Sequence, residues 1–378
     1  MNLALSDEQV FLREAARGAL SRFKTLEAAR EALDGKDSLP DLWPTAREAG
    51  WPGLLIDEAH GGAGLDAFDA MLVMGECGRV LAGVALLGHL PATAILNASP
   101  AAADQLEALA SGERRAAYLP VAPPDDIHEQ WSADPEHGLE RGPAPRAEGA
   151  GDDLRVSGEL WFVPDAPGAD VLAGVAVLDG EPVGVAIEAT AGGVSIEATT
   201  RYDATRSLGH VSLKDAPAKR LDAPEAALAS AWHLAQALIA AESLGSVETA
   251  LDVSVAYAKE RHTFGRPIGS YQAVKHSLTE VLRQLDNGRA LLYYAGWSRN
   301  GGPAEFPLAA SAARSVAGRA LDQAARTMIS VHGGIGATWE HDAPLYFRRA
   351  QLSRRLLGGT AAATDRVAGE VMAQAEAA

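Results

Sequence analysis

The fold is decided by reading Lys259-Glu260-Arg261-His262-Thr263-Phe264-Gly265-Arg266-Pro267-Ile268-Gly269-Ser270-Tyr271-Gln272-Ala273-Val274-Lys275-His276. Upstream lies a long alanine-rich helical text, Ala226–Lys259, with a kink expected near Gly245. Pro267 and Gly269 break it from a second helix over Tyr271–Gly296. A third helix is expected over Ala309–Val331, with two shorter ones after it. The quoted stretch therefore links two long helices through a turn. An Arg at a helix end, followed by a hydroxyl, an aromatic and a glycine, can clamp a diphosphate bidentately and cover a ring. The same residues read equally as a charged helix end, a core Phe and a turn.

Working outward, the text before Ala223 changes period. Leu154–Val163, Val171–Leu178, Val183–Ile187, Gly193–Ala198 and Leu208–Leu213 read as strands, and Asp179-Gly180 between two apolar runs is a hairpin turn pair. Pro123–Asp153 is rich in Pro, Gly, Asp and Glu and reads as irregular or as a sheet edge. Before Leu119 the text is helical again, at Leu42–Gly50, Ala67–Leu81 and Ala101–Ser111. A first helix starts near Ser6, with Gln9 placed to close a capping box and Leu5 and Val10 at the staple positions. The glycines of Gly53–Leu65 mark a loop. The order is helical, then β, then helical, and we find no repeat. We expect an N-terminal helical domain over 1–115, a middle β-barrel over 116–222 and a C-terminal helical bundle over 223–378.

Composition narrows the function classes. The 378 residues carry 33 Lys and Arg against 50 Asp and Glu, a formal charge of −17. Such a field repels phosphate backbones and anionic lipid, so neither nucleic acid nor a membrane surface is an expected partner. Apolar residues make up 47% and charged residues 22%, as in a globular protein. The single cysteine, Cys77, forms no intrachain disulfide and no Cys-based metal cluster. No signal peptide and no apolar run long enough to span a bilayer is visible, so the expected compartment is the cytoplasm.

The familiar site motifs fail their context tests. Gly61-Gly62-Ala63-Gly64 and His332-Gly333-Gly334-Ile335-Gly336 follow no strand of a βαβ unit, so a Rossmann reading fails. No histidine has Glu three residues before it, which removes a di-iron bundle. No Gly-x-Ser-x-Gly elbow is present.

Three stretches carry a resemblance. Arg261-x-x-Phe264-Gly265-x-Pro267-Ile268 with Gln272-Ala273-Val274-Lys275-His276, the run Val331–Arg349 (VHGGIGATWEHDAPLYFRR), and Gly50–Leu65 (GWPGLLIDEAHGGAGL) resemble the flavin-dependent acyl-CoA dehydrogenases. The resemblance implies a helical domain, a β-barrel and a helical bundle, with FAD bound between barrel, bundle and a neighbouring subunit. It implies removal of an α-proton from an acyl-CoA by a carboxylate while the β-hydrogen leaves as hydride. It also implies an electron-transfer flavoprotein as acceptor.

The chain departs from that family where a subunit serves itself. The family's Glu before Gly-Thr is matched by Gly358 in Leu356-Leu357-Gly358-Gly359-Thr360. An alternative base on the long helix would fall at Ala235; the nearest carboxylate is Glu242, two turns on along the same face. The family's Thr-Glu-Pro-x-x-Gly-Ser-Asp segment is lost over Tyr118–Asp126, and Val163 stands after Trp161-Phe162 where a hydroxyl would meet the flavin. The family residues that reach a neighbour's FAD are matched by Arg261, Thr263, Phe264, Gln272, Gly333 and Gly334, with Ser330 in place of the usual Gln. The resemblance therefore points to the β-type, base-lacking subunit of an actinobacterial α2β2 acyl-CoA dehydrogenase. Such a chain would lend half a FAD site to a second, catalytic chain, with a steroid side-chain CoA as substrate. Two other readings are an active homotetramer with Glu242 as base, and a flavin-free structural or binding homologue.

Overall fold

The computed structural model describes residues 4–376 apart from 36–38, 122–131, 134–140, 143 and 200–201. The expected succession holds: a helical part, a barrel-like β part and a second helical part.

Helices α1 (Asp7–Leu20), α2 (Thr25–Leu33), α3 (Trp43–Glu48), α4 (Ala67–Arg79), α5 (Leu86–Asn97) and α6 (Ala103–Ala110) form the first part. α1 begins with the expected capping box: Ser6 Oγ accepts the Gln9 N–H and the Gln9 side chain accepts the Ser6 N–H. α2 and α5 are additional to the helices expected from the sequence. In α5, Pro91 lies inside the helix, and the segment is apolar on every side because it is buried all round.

The β part contains β1 (Ala116–Leu119), the two-residue pair β2 (Ser132–Ala133) and β3 (Arg141–Gly142), then β4 (Arg146–Ala150), β5 (Asp153–Pro164), β6 (Val171–Leu178), β7 (Glu181–Glu188), β8 (Val194–Ala198) and β9 (Leu208–Leu221). Pairing runs β6–β4–β5–β9–β7 and returns through β7–β6, so five strands close on themselves, with β1 and β8 as outliers. Closure leaves those five strands without the unpaired edges that recruit other chains. Asp179 and Gly180, at φ +51° and +90°, make the expected two-residue hairpin between β6 and β7. β4 falls inside the stretch read as irregular; Gly149, Gly151 and three acidic residues had masked its alternation.

The second helical part holds α7 (Glu225–Glu260), the two-residue strands β10 (His262–Thr263) and β11 (Arg266–Pro267), α8 (Gln272–Gly301), α9 (Phe306–His332), α10 (Ala343–Ser353) and α11 (Gly359–Glu376). α7 is the hub, packing on α4, α5, α8 and α9. It runs as one helix for 36 residues, through Gly245. Gly245 admits α4: a β-carbon there would lie 1.9 Å from the Gly75 carbonyl oxygen. Gly78 does the same from the other side, where a β-carbon would lie 1.9 Å from the Glu242 carbonyl oxygen. Ser246 Oγ then reaches the Gly78 carbonyl at 2.7 Å. Glycine at both positions permits backbone contact between the two helices.

Candidate functional site

The stretch between α7 and α8 is a tight hairpin. The Arg261 N–H donates to the Tyr257 carbonyl at 2.8 Å, and the Ile268 N–H donates to the Arg261 carbonyl at 2.7 Å. β10 and β11 pair antiparallel across Phe264-Gly265, whose φ values are +50° and +80°. Both signs positive is the two-residue hairpin geometry that ordinarily selects Asn-Gly. A phenylalanine at positive φ is strained by about 1–2 kcal/mol. Its ring recovers nothing within the chain, being 94% exposed, so the alternative reading of Phe264 as a core residue is overturned. The hairpin is braced from below: Tyr271 Oη donates to the Thr263 carbonyl at 3.1 Å and the Arg266 guanidinium lies 4.1 Å from the Tyr271 ring centroid. Gly269 packs on the last turn of α7, ties the start of α8 to it, and so places Gln272 beside the hairpin. Arg261, Thr263 and Gln272 are all exposed.

The second glycine segment lies at the same end of the bundle. α9 stops at His332, and Gly333 follows at φ +63° with its N–H closed on Ile329 and Ser330. The space above Gly333 and Gly334 is open, so a ligand can approach the backbone directly. Ile335 and Trp339 next to them are large and exposed. Ser330, one turn back, lines a groove of about 500 Å³ with Arg319, Arg326, Arg354, Thr327 and Thr360. Tyr257 and His332, the neighbours of the two segments, have ring centroids 4.4 Å apart. All six residues expected to serve a neighbour's cofactor thus share one end of the bundle, exposed and unburdened by packing.

The residues that would serve the chain itself are differently placed. Leu357, Gly358 and Gly359 turn with φ +51°, +79° and +75°, a backbone path that disfavours any side chain. Gly358, which the resemblance matches to the family's Glu, thus has a conformation fitted to glycine. Gln236 Nε2 holds the loop by donating to the Leu357 carbonyl at 2.8 Å, and Ala235 beside it is wholly buried. In the barrel, Val163 is wholly buried. At the register shift in β5 between Leu160 and Val163, Trp161 and Phe162 both meet the His210 ring edge-on, with centroids at 4.3 and 5.0 Å. Burial holds the His210 imidazole below its ordinary range. Of the expected Tyr118–Asp126 segment, 118–121 are buried in β1 and just beyond it, while 122–126 lie outside the described residues.

Glu242 sits in a closed cluster that the sequence reading did not foresee. Its Oε1 accepts Arg349 Nη1 at 2.7 Å and its Oε2 accepts Arg206 Nη2. Arg349 also donates to Asp203 Oδ2 at 2.5 Å and to Thr205 Oγ1 at 2.6 Å. Glu242 is 2% exposed, Arg349 1%, Asp203 3% and Arg206 5%. Burial pushes the Arg349 guanidinium toward neutrality, but Asp203 and Glu242 outweigh it and hold its pKa above the usual value. Burial likewise raises Asp203, and Arg349 with Thr205 overrides it, so this carboxylate stays below its usual range. This geometry counts against Glu242 as a base: both oxygens are engaged by guanidinium groups and no substrate reaches them. The cluster was invisible in the text because its members come from the β8–β9 loop, α7 and α10 at no motif spacing.

Comparison with known proteins fits this layout. The family model for the acyl-CoA dehydrogenase N-terminal domain matches residues 6–122, and that for the C-terminal domain matches residues 226–372. The chain is 30% identical over 356 residues to the acyl-CoA dehydrogenase IpdE2 of Mycolicibacterium smegmatis, covering 94% of this chain and 96% of that one. The chain belongs to the acyl-CoA dehydrogenases. It is also 31% identical over 372 residues to the acyl-CoA dehydrogenase FadE34 of Mycobacterium tuberculosis, covering 95% of this chain but 47% of that one. Among solved structures, a variant of the Tcur3481–Tcur3483 steroid acyl-CoA dehydrogenase superposes with a TM-score of 0.86 at 29% identity, covering 98% of this chain and 99% of that chain. The ChsE4–ChsE5 complex of Mycobacterium tuberculosis gives 0.85 at 25%, with the same coverage. The acyl-CoA dehydrogenase family binds FAD. The residues present fit that group on the outward side, where an exposed strained ring, an arginine at a helix end and open glycine backbone lie together. On the inward side Val163 brings no hydroxyl and Gly358 no acid. Among the described residues no group of side chains suits a metal ion, and no helix is long and apolar enough to cross a membrane.

Proposed function

We propose that this acyl-CoA dehydrogenase chain is a non-catalytic subunit that lends the outward half of a FAD site to a second, base-bearing chain of the same family. One observation carries the reading: Phe264 is held strained and 94% exposed beside Arg261, whereas the base position is a glycine at φ +79°. Arg261 would pair with the cofactor's diphosphate and Phe264 would cover its rings, while Gly333 and Gly334 let the ligand close on the backbone. FAD, when bound, supplies the hydride acceptor for α,β-dehydrogenation. In this chain Glu242 acts as the centre of an ion cluster and not as a base. The partner's carboxylate removes the α-proton, and its own pocket holds the acyl-CoA.

The relatives support the pairing and the substrate class. Two of the most similar solved structures are named as two-component assemblies, and one of them is named as a steroid enzyme. FadE34 has room for a further region about as long as the one matched here. We infer a steroid-type acyl-CoA substrate, an α2β2 assembly and an electron-transfer flavoprotein as acceptor.

The test is expression of the chain alone and together with a Glu-bearing partner chain. The lone chain should show little flavin absorbance and no acyl-CoA turnover, and the pair should show both. A lone chain that is stoichiometrically yellow and turns over acyl-CoA sinks the proposal and restores the homotetramer.

A further inference from the structure

The outward end of the bundle also brings three rings, of Tyr257, His332 and His341, into contact. His332, the last residue of α9, is 5% exposed. Its ring centroid lies 4.4 Å from that of Tyr257 on α7 and 4.2 Å from that of His341. Tyr257 is one turn before Arg261 and receives its N–H. His332 directly precedes Gly333, and the loop folds back so closely that a β-carbon on Gly336 would lie 2.9 Å from His332 Cβ. His341 Nδ1 accepts the Ala343 N–H at 3.0 Å where α10 begins. The stack therefore ties together the segment carrying Arg261, the loop carrying Gly333 and Gly334, and the helix that follows.

We propose that Tyr257, His332 and His341 are positioning residues that hold the Gly333–Gly334 loop in register with the Arg261 hairpin, so that both halves of the offered FAD surface face the neighbouring subunit together. The proposal rests on the cofactor-lending reading above. It has a chemical consequence. His341 can accept the Ala343 N–H only while its Nδ1 is unprotonated. His332 Nδ1 donates to the Met328 carbonyl at 2.8 Å, which fixes its ring against the last turn of α9. The groups facing His341 are His332 from α9, Asp342 beside it, and Arg30 of α2, which is paired with Asp342; Tyr257 of α7 meets His332 in turn. Burial and His332 hold His341 below the ordinary imidazole range, against the pull of Asp342. The folded form is then the neutral form. The support is complete above the unfolded value near pH 6.5 and is lost as the pH falls through the lower value His341 has in the folded chain.

The experiment uses the full tagged chain, recovered in the assembly it forms and loaded with FAD. Flavin release is followed by fluorescence between about pH 8 and pH 5.5, with the assembly's mass measured alongside. His332→Ala should release FAD about tenfold faster than wild type at neutral pH, the size expected for losing roughly 1.4 kcal/mol of positioning. His332→Phe keeps a ring in the stack and should restore release to near the wild-type rate, with a flatter pH profile. Should His332→Ala fail to fold, His341→Ala against His341→Phe makes the same comparison from the loop side. Wild-type release rates in the alanine variants, or equal loss in the alanine and phenylalanine variants, overturn the positioning role. A homomeric wild-type assembly that oxidises acyl-CoA overturns lending to a second chain while its release rates still judge the stack. A wild-type assembly that holds no FAD overturns both.

Discussion

Replacing Phe264 by alanine separates packing from ligand contact. The ring is 94% exposed, so the isolated chain has almost no contact to lose. A phenylalanine side chain presents about 200 Å² of surface, worth roughly 4–5 kcal/mol if fully buried at about 25 cal/mol per Å². Ordering costs and partial burial at an interface reduce this to about 2–3 kcal/mol, or roughly 30–150-fold in the dissociation constant. Thermal unfolding of the lone chain should therefore stay within a degree or so of wild type, while the assembled enzyme binds FAD roughly 30–150-fold more weakly. Phe264→Asn sharpens the comparison. Asparagine tolerates φ +50°, so it should stabilise the lone chain by up to about 1 kcal/mol and still lose FAD. Differential scanning calorimetry on the chain and flavin fluorescence on the complex make the two measurements. A fall of several degrees in the lone alanine variant, or unchanged FAD affinity in the complex, refutes the reasoning.

Three further outcomes follow from the core. Glu242→Gln leaves Arg206 and Arg349 short of a buried countercharge and should cost roughly 3–5 kcal/mol by denaturant titration; a wild-type midpoint would mean the cluster is not what holds that carboxylate in place. Gly245→Ala drives a β-carbon to 1.9 Å from the Gly75 carbonyl and should cost at least about 1–3 kcal/mol, whereas Gly18→Ala, with open space around it in α1, should gain about 0.5–1 kcal/mol. Asp165 is buried against the Gly88 N–H at 2.8 Å, and burial raises its pKa to about 6. A raised folded value adds stability that is complete below the unfolded value near 4 and is lost as pH rises through 6. Asp165→Asn should thus gain about 2–3 kcal/mol over wild type at pH 8 and little at pH 4, and parallel pH–stability curves would contradict it.

What was legible in the text was local chemistry. The Ser6–Gln9 box, the Asp179-Gly180 turn and the breaks at Pro267 and Gly269 act within a few residues, and each appears where the sequence placed it. The strand β9 ran eight residues past its expected end at Leu213, because Lys214, Asp215 and Pro217 break the apolar run while its pairing with β5 and β7 carries on. The outward site was legible as a motif, but its strain was not: positive φ at Phe264 is a property of the hairpin, and only the folded chain shows the ring left in solvent. The ion cluster was illegible for a different reason. Asp203, Arg206, Glu242 and Arg349 look like ordinary surface charges in a strongly acidic chain, and burial alone reveals them as a set.

That cluster also bears on how the molecule comes apart. Its four charges are contributed by a barrel loop, a bundle hub helix and a helix more than a hundred residues later, with Gly78 of the first helical part pressed against the Glu242 backbone. None of these pieces can keep its charge out of water without the others, so each would be unstable when cut free. Heating the chain should give one cooperative melting event and no stepwise loss of its three parts, and truncation at either junction should yield aggregates in place of independently folding fragments.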